Sequence, residues 1–187
     1  FIWIQGCDTI PTKYHEYMKS WKQHHLNWKL FVWDDITIQN CIRQYFNNDV
    51  LVYYKKITNY AYKSDLARQI ILYIYGGIYV DTDAECFKSV LSEIPISSPY
   101  PTIYFANVTP PSNIQFIKNI FKKELDIFFI ASSINHPFWK KSINNILSDN
   151  NSTISNISKC GPHYTVKNYN NHTYPIKILK IDTFINK

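Results

Sequence analysis

The chain has 187 residues, 45% of them hydrophobic and 18% charged, with a net charge of +6 from 20 Lys and Arg against 14 Asp and Glu. That length holds one sizeable core and hardly two, and that composition excludes a disordered chain. The positive charge is scattered in pairs such as Lys55-Lys56, Lys122-Lys123 and Lys140-Lys141; this excludes the basic stripe of a nucleic-acid binder but suits a small anionic substrate.

In chain order, Phe1-Ile2-Trp3-Ile4-Gln5 is an apolar run ended by Gly6 and predicts a buried strand. Pro11 opens a helical stretch to about His25, and Trp28 to Trp33 predicts a second strand, stopped by Asp34-Asp35. Thr37 to Tyr45 predicts a helix with Thr37 as N-cap. Tyr60 to Tyr75 is the clearest helix: Leu66, Ile70, Tyr73 and Ile74 share one face, and Gly76-Gly77 ends it. Ile78-Tyr79-Val80 follows as a short buried strand leading into Asp81.

The four prolines between Ser97 and Ser112 predict a long loop. Ile127 to Ala131 reads as a strand and Pro137 to Leu147 as an amphipathic helix, with His136 in a structural place before it. Asn150 to Ser158 reads as a surface loop and Ile176 to Ile181 as a late strand. Alternating strands and helices predict an α/β domain with a mainly parallel central sheet flanked by helices. Ligands of such sheets bind beyond the carboxyl ends of the strands, where Asp81 and Asp83 stand.

Cys7, Cys41, Cys86 and Cys160 lack metal-ligand spacing and read as buried thiols or at most two disulfides. No apolar run approaches the roughly 18 residues of a membrane span, and no signal peptide is visible in a chain that starts at Phe1 without Met. The 15 Tyr, within 17% aromatics, suit the half-wet surfaces of sugar and nucleobase sites, or reflect an AT-rich coding sequence. Asn107, Asn151, Asn156 and Asn171 head N-glycosylation patterns, which in so Asn-rich a chain are weak evidence for a secretory route. A cytoplasmic enzyme, bacterial or viral, is the preferred expectation over one of the Golgi lumen.

Asp81-Thr82-Asp83-Ala84-Glu85 is the main chemical feature. Hard cations such as Mn2+ or Mg2+ take carboxylate oxygens and share their shell with substrate phosphates. Two acids two apart can divide the work, one on the metal and one on the hydroxyls of ribose or sugar. Alone the pattern is weak; its delivery by a Gly-Gly turn and an apolar strand gives it weight. Asp65 and Arg68 lie three apart on the helix feeding that strand, either as a surface ion pair or as a site for diphosphate and hydroxyls.

Ala61-Tyr62-Lys63-Ser64-Asp65-Leu66-Ala67-Arg68, then Ile71-Leu72-Tyr73, then Tyr75-Gly76-Gly77-Ile78-Tyr79-Val80-Asp81-Thr82-Asp83 resembles the signature of the DXD-containing glycosyltransferases of family 32. That family includes yeast initiating mannosyltransferases and capsular polysaccharide enzymes, and shares its core with clostridial glucosylating toxins. Weaker echoes run from Ile2-Trp3-Ile4-Gln5-Gly6 to Gly161-Pro162. The resemblance implies a GT-A fold in one catalytic domain over residues 1–187, open to trimming at both ends. It implies a nucleoside-diphosphate sugar donor (GDP-mannose or a UDP-hexose), Mn2+ or Mg2+, retention of configuration, and a glycan, glycolipid or protein acceptor. By position, Trp3 would stack on the nucleobase, with Ile4 lining that pocket and Ser64 near ribose or base. Asp65 and Arg68 would hold sugar hydroxyls and the diphosphate side, Asp81 would contact ribose and sugar, and Asp83 would ligate the metal.

The chain departs from the family in two places. An Asn often found before the Ala131 to Pro137 segment is missing, leaving Asp126 as the nearby candidate. The family's Thr-Gly-Pro reads Cys160-Gly161-Pro162 and is followed by His163, a candidate further metal ligand. Two other classes stay open: a phosphohydrolase built on the Asp-x-Asp pair, and a non-catalytic nucleotide-sugar-binding module.

Overall fold

The structure is a computed structural model and describes residues 1–4, 9–94, 101–107, 126–148, 165, 174–180 and 184–186. The loop expected at 150–158, His163, Cys7 and Cys160 lie outside these; Cys41 and Cys86 are free and buried.

Three helices precede the central one. Helix α1 (Thr12–His24) starts after Pro11 and buries Met18 and Trp21. Helix α2 (Asp35–Tyr45) is capped by Asp34, not by the expected Thr37. The Asp34 carboxylate accepts the Thr37 N–H at 2.7 Å while the Thr37 hydroxyl accepts the Asp34 N–H at 3.0 Å, a reciprocal box that places Thr37 inside the first turn. Helix α3 (Asn48–Lys56), capped by Asn47, has no counterpart in the sequence-based expectations.

Helix α4 (Tyr60–Tyr75) starts where the Asn59 side chain accepts the N–H groups of Ala61 and Tyr62 at 2.9 and 3.3 Å. From Asp65 to Leu72 every side chain is buried, so this helix runs through the interior. It stops at Gly76, whose φ of 62° belongs to the left-handed region. A Cβ there would lie 2.6 Å from the Ile134 nitrogen, so only glycine lets the chain pass so close.

Strand β1 (Gly77–Val80) follows, then the short β2 (Glu85–Cys86). Strands β3 (Ile103–Asn107) and β4 (Asp126–Ser132), helix α5 (Pro137–Ser148), and strands β5 (Ile176–Lys180) and β6 (Ile185–Asn186) complete the described elements. The main sheet has the order β1-β4-β3-β5, and β2 pairs with β6 separately.

Strand β4 runs antiparallel to both of its neighbours, while β3 and β5 are parallel. The sheet is therefore mixed, where strand–helix alternation suggested a mainly parallel one. That alternation lies ahead of β1; beyond it the described elements follow strand on strand up to α5, without the crossover helices that parallel neighbours need. Strand β3 also occupies part of the stretch expected to be a loop. Its Ile103 to Ala106 are buried between β4 and β5, and Pro101 stands before the ladder, where a missing N–H does no harm. The two strands expected near the start reduce to one parallel bridge, Ile2 to Trp33. Leu30, Phe31 and Val32 are exposed, and the bridge of that run forms at its end, at Trp33.

The sheet divides two apolar cores. On one face Ile103, Phe105 and Ile130 pack with residues of α2 to α5, including Ile42, Tyr54, Ile70 and Trp139. On the other, Tyr104, Ala106, Phe128 and Val80 pack with Trp21 of α1, Cys86 and Ile185. The two-residue alternation along β3 follows from its pleat. His136 is fully buried and its Nδ1 accepts the Phe138 N–H at 3.2 Å, a capping role at the start of α5. Among the described residues no helix is long and apolar enough to cross a membrane.

Candidate active site

The paired acids sit on a turn held from two sides. One residue beyond β1, the Asp81 N–H continues the ladder to the Phe128 carbonyl at 2.8 Å. The Asp81 carbonyl accepts the Ala84 N–H at 3.2 Å, closing a turn with Asp83 exposed on it. Helix α1 grips the far end: the Trp21 indole N–H donates to the Ala84 carbonyl at 2.8 Å, and the Ser20 hydroxyl accepts the Cys86 N–H at 2.9 Å.

Asp65 and Arg68 are not a surface pair. Their side chains are 11% and 8% exposed, and Arg68 Nη2 lies 2.8 Å from Asp65 Oδ1. Arg68 Nη1 donates to the Ile127 carbonyl at 2.6 Å and stands 3.4 Å from Asp81 Oδ1. A buried guanidinium survives only with such partners, and removing one costs about 3–5 kcal/mol. Helix α4, strand β1 and strand β4 thus meet at one cation.

Tyr79 joins this group, and the sequence reading missed it. Its hydroxyl donates to Asp81 Oδ1 at 2.7 Å, and the Arg68 guanidinium lies over its ring at 4.5 Å. Burial drives the Tyr79 phenol well above its ordinary pKa; the Arg68 charge opposes this and Asp81 adds to it, so the group remains a proton donor. The available signal was the two-residue period of a strand, which puts Tyr79 and Asp81 on the same side of the chain.

The remaining candidates are placed less closely. Ser64 is half-buried, one residue before Asp65. Trp3 is half-buried, its ring 5.4 Å from that of Tyr14 and its N–H bonded to the Trp33 carbonyl at 2.7 Å. The Trp3 indole nitrogen is buried without a hydrogen-bond partner among the described residues. Ile4 lies in the larger core. Asp126 begins β4.

Asp81 Oδ1 is already engaged, whereas Asp83 has no hydrogen bond or ion pair among the described residues. No group of three or more His, Cys, Asp or Glu gathers as a metal cage among those residues. That donor set fits a hard cation carried on one or two carboxylates and completed by substrate phosphates and water. A separate cavity of about 370 Å³ opens behind β1, between Trp21, Trp28, Trp33, Tyr75 and Ile78. It is lined mainly by apolar rings and lysines and holds none of the acids.

A sheet layered by helices, with paired acids at the end of a strand, defines an α/β domain of the GT-A type. The same fold occurs in the solved PaToxG glycosyltransferase, which superposes with a TM-score of 0.66 over 91% of this chain and 67% of that one, at 16% identity. Residues 11–101 match the family described as a glycosyltransferase sugar-binding region containing a DXD motif. Over those residues the chain resembles this DXD-containing glycosyltransferase family.

Relatives in sequence agree. The uncharacterized glycosyltransferase L373 of Acanthamoeba polyphaga mimivirus is 28% identical over 80% of this chain and 64% of its own length. The initiation-specific alpha-1,6-mannosyltransferase of Candida albicans is 29% identical over 47% of this chain. Inositol phosphoceramide mannosyltransferase 1 of Schizosaccharomyces pombe is 30% identical over 43%. The chain spans 24% and 26% of those two fungal enzymes.

Proposed function

We propose that this domain moves a hexose from a nucleoside-diphosphate sugar to a hydroxyl of a glycan, lipid or protein acceptor, with retention of configuration. The observation that carries the reading is the buried Asp65–Arg68–Asp81 group beside the exposed Asp83. It sets one fixed cation and oriented carboxylates next to a carboxylate open to a metal. GDP-mannose is the first donor to try, because two of the relatives are mannosyltransferases; a UDP-hexose is the other.

In this reading Trp3 offers its ring to the nucleobase, and Ile4 and Ser64 flank base and ribose. Asp81, oriented by Tyr79 and Arg68, accepts hydrogen bonds from donor hydroxyls, and Asp65 does the same for the sugar. Arg68 adds fixed positive charge where the diphosphate departs, which lowers the barrier without reorganisation. Asp83 would hold Mn2+ or Mg2+, whose chemistry there is to neutralise charge on a leaving diphosphate. The acceptor hydroxyl attacks the anomeric carbon on the face the diphosphate leaves. No protein nucleophile enters this scheme.

A screen of GDP-mannose, UDP-glucose, UDP-galactose and UDP-N-acetylglucosamine, with and without Mn2+, tests the proposal. One donor should stand out in metal-dependent hydrolysis and in thermal stabilisation. Release of phosphate from simple esters instead would favour a phosphohydrolase, and donor binding without turnover would favour a binding module.

A further inference from the structure

A second polar cluster stands behind α4. Asp35, the first residue of α2, receives three side chains: Lys63 Nζ of α4 at 2.9 Å from Oδ1, the Tyr54 hydroxyl of α3 at 2.9 Å on Oδ1, and Gln39 Nε2 at 2.7 Å on Oδ2. The Lys63 ammonium also lies 4.9 Å from the centre of the Tyr54 ring. The Lys63 side chain is 12% exposed and Tyr54 is fully buried, while the Asp35 side chain is 33% exposed, so the contact is shielded from water on the side of α3 and α4. One carboxylate thereby ties three helices together.

The placement of Lys63 needs a reason. It lies within the first turns of α4, where the helix dipole disfavours a cation. The helix has other anchors, since Asn59 caps it and Leu66, Ala67, Ile70 and Leu72 hold it in the core. Apolar contacts of that kind have little direction of their own and fix a helix only through the fit of its side chains. A charged hydrogen bond has direction. Lys63 and Asp65 are two residues apart, which sets them roughly 200° apart around the axis. Lys63 therefore holds the back of the helix, while Asp65 and Arg68 face the acids of β1.

We propose that Asp35 and Lys63, braced by Tyr54, are positioning residues that set the rotation of α4 and so the place where Asp65 and Arg68 meet the donor. The proposal rests on the donor-binding reading above. A displacement of about 1 Å in a reacting geometry can cost on the order of a hundredfold in rate. The clamp therefore acts on turnover as well as on folding.

The test uses the whole chain with Lys63→Met, Asp35→Asn and the conservative Lys63→Arg. Two readouts are taken: kcat and donor KM, and the NMR signal of the Arg68 Nε–H, which senses the Tyr79 ring beneath its guanidinium. Lys63→Met and Asp35→Asn should lower kcat by about tenfold to a hundredfold, more than the accompanying fall in Tm accounts for. Both should shift the Arg68 signal, and Lys63→Arg should restore kcat and signal together. An unmoved Arg68 signal in folded Lys63→Met overturns the clamp, whether or not any donor is turned over. A kcat loss that merely tracks a falling Tm also overturns it. A wild-type chain that neither binds nor turns over any donor, with the signal still shifted in the two variants, overturns the donor reading and leaves the clamp standing.

Discussion

The Tyr79 hydroxyl donates to Asp81 Oδ1 at 2.7 Å while its ring carries the Arg68 guanidinium at 4.5 Å. One side chain thus orients the acid and supports the cation. Tyr79→Phe removes the first contact and keeps the second. A hydrogen bond to a charged group contributes about 1.5–3 kcal/mol, so denaturant unfolding should show a loss of that size. Asp81 should also lose its fixed orientation, lowering kcat with donor KM little changed. Wild-type kcat in a destabilised Tyr79→Phe chain would separate this contact from catalysis.

The glycine pair before β1 is a second point where local geometry controls the site. A Cβ on Gly76 would meet the Ile134 nitrogen at 2.6 Å and the Ser132 carbonyl oxygen at 2.9 Å, at a φ of 62°. Gly77 has a φ of 86° but open space around it. Gly77→Ala should therefore cost only left-handed backbone strain, about 1–2 kcal/mol, and Gly76→Ala clearly more. Paired thermal melts should rank them in that order; equal losses would contradict the close approach to Ile134.

These two points also show how far the sequence was legible. Helix α4 and β1 were plain because a helical period, two glycines and an apolar run follow one another without ambiguity. The Asp65–Arg68 spacing and the paired acids were visible for the same local reason. What stayed hidden depends on contacts distant in sequence. Helix α3 is nine residues long and follows α2 closely, too short to display a period. Strand β3 lay among prolines, and its pairing with β4 and β5 is not written in its own residues. Burial of Arg68 rests on the Ile127 carbonyl, 59 residues away, and the Asp35–Tyr54 contact spans 19.

His25 gives the fold a predictable pH response. It is buried, its Nε2 accepts the Val90 N–H at 3.2 Å, and its Nδ1 lies 2.9 Å from the Trp21 carbonyl. Burial lowers its pKa; the Trp21 carbonyl partly opposes this, and His24 adds a small lowering. A folded-state pKa below that of the unfolded chain means full stability above about pH 6.5. As pH falls through that value the unfolded chain takes up a proton that the folded one resists, and stability drops. Between pH 7.5 and 5.5 the wild-type Tm should fall more than that of His25→Gln. Parallel curves would rule out His25 as the source.

The central claim is that Asp83 is the carboxylate open to a metal while Asp81 is held for the donor. It is tested most directly by donor hydrolysis in Mn2+ titrations of the wild-type chain and Asp83→Asn, using the donor that the screen selects. Because Asp83 is exposed and without a partner among the described residues, the variant should fold with an unchanged Tm. Saturable metal-dependent turnover is expected in the wild type, and its loss, by about a hundredfold or more, in Asp83→Asn at every Mn2+ concentration. Wild-type turnover by Asp83→Asn in the presence of Mn2+ would contradict it.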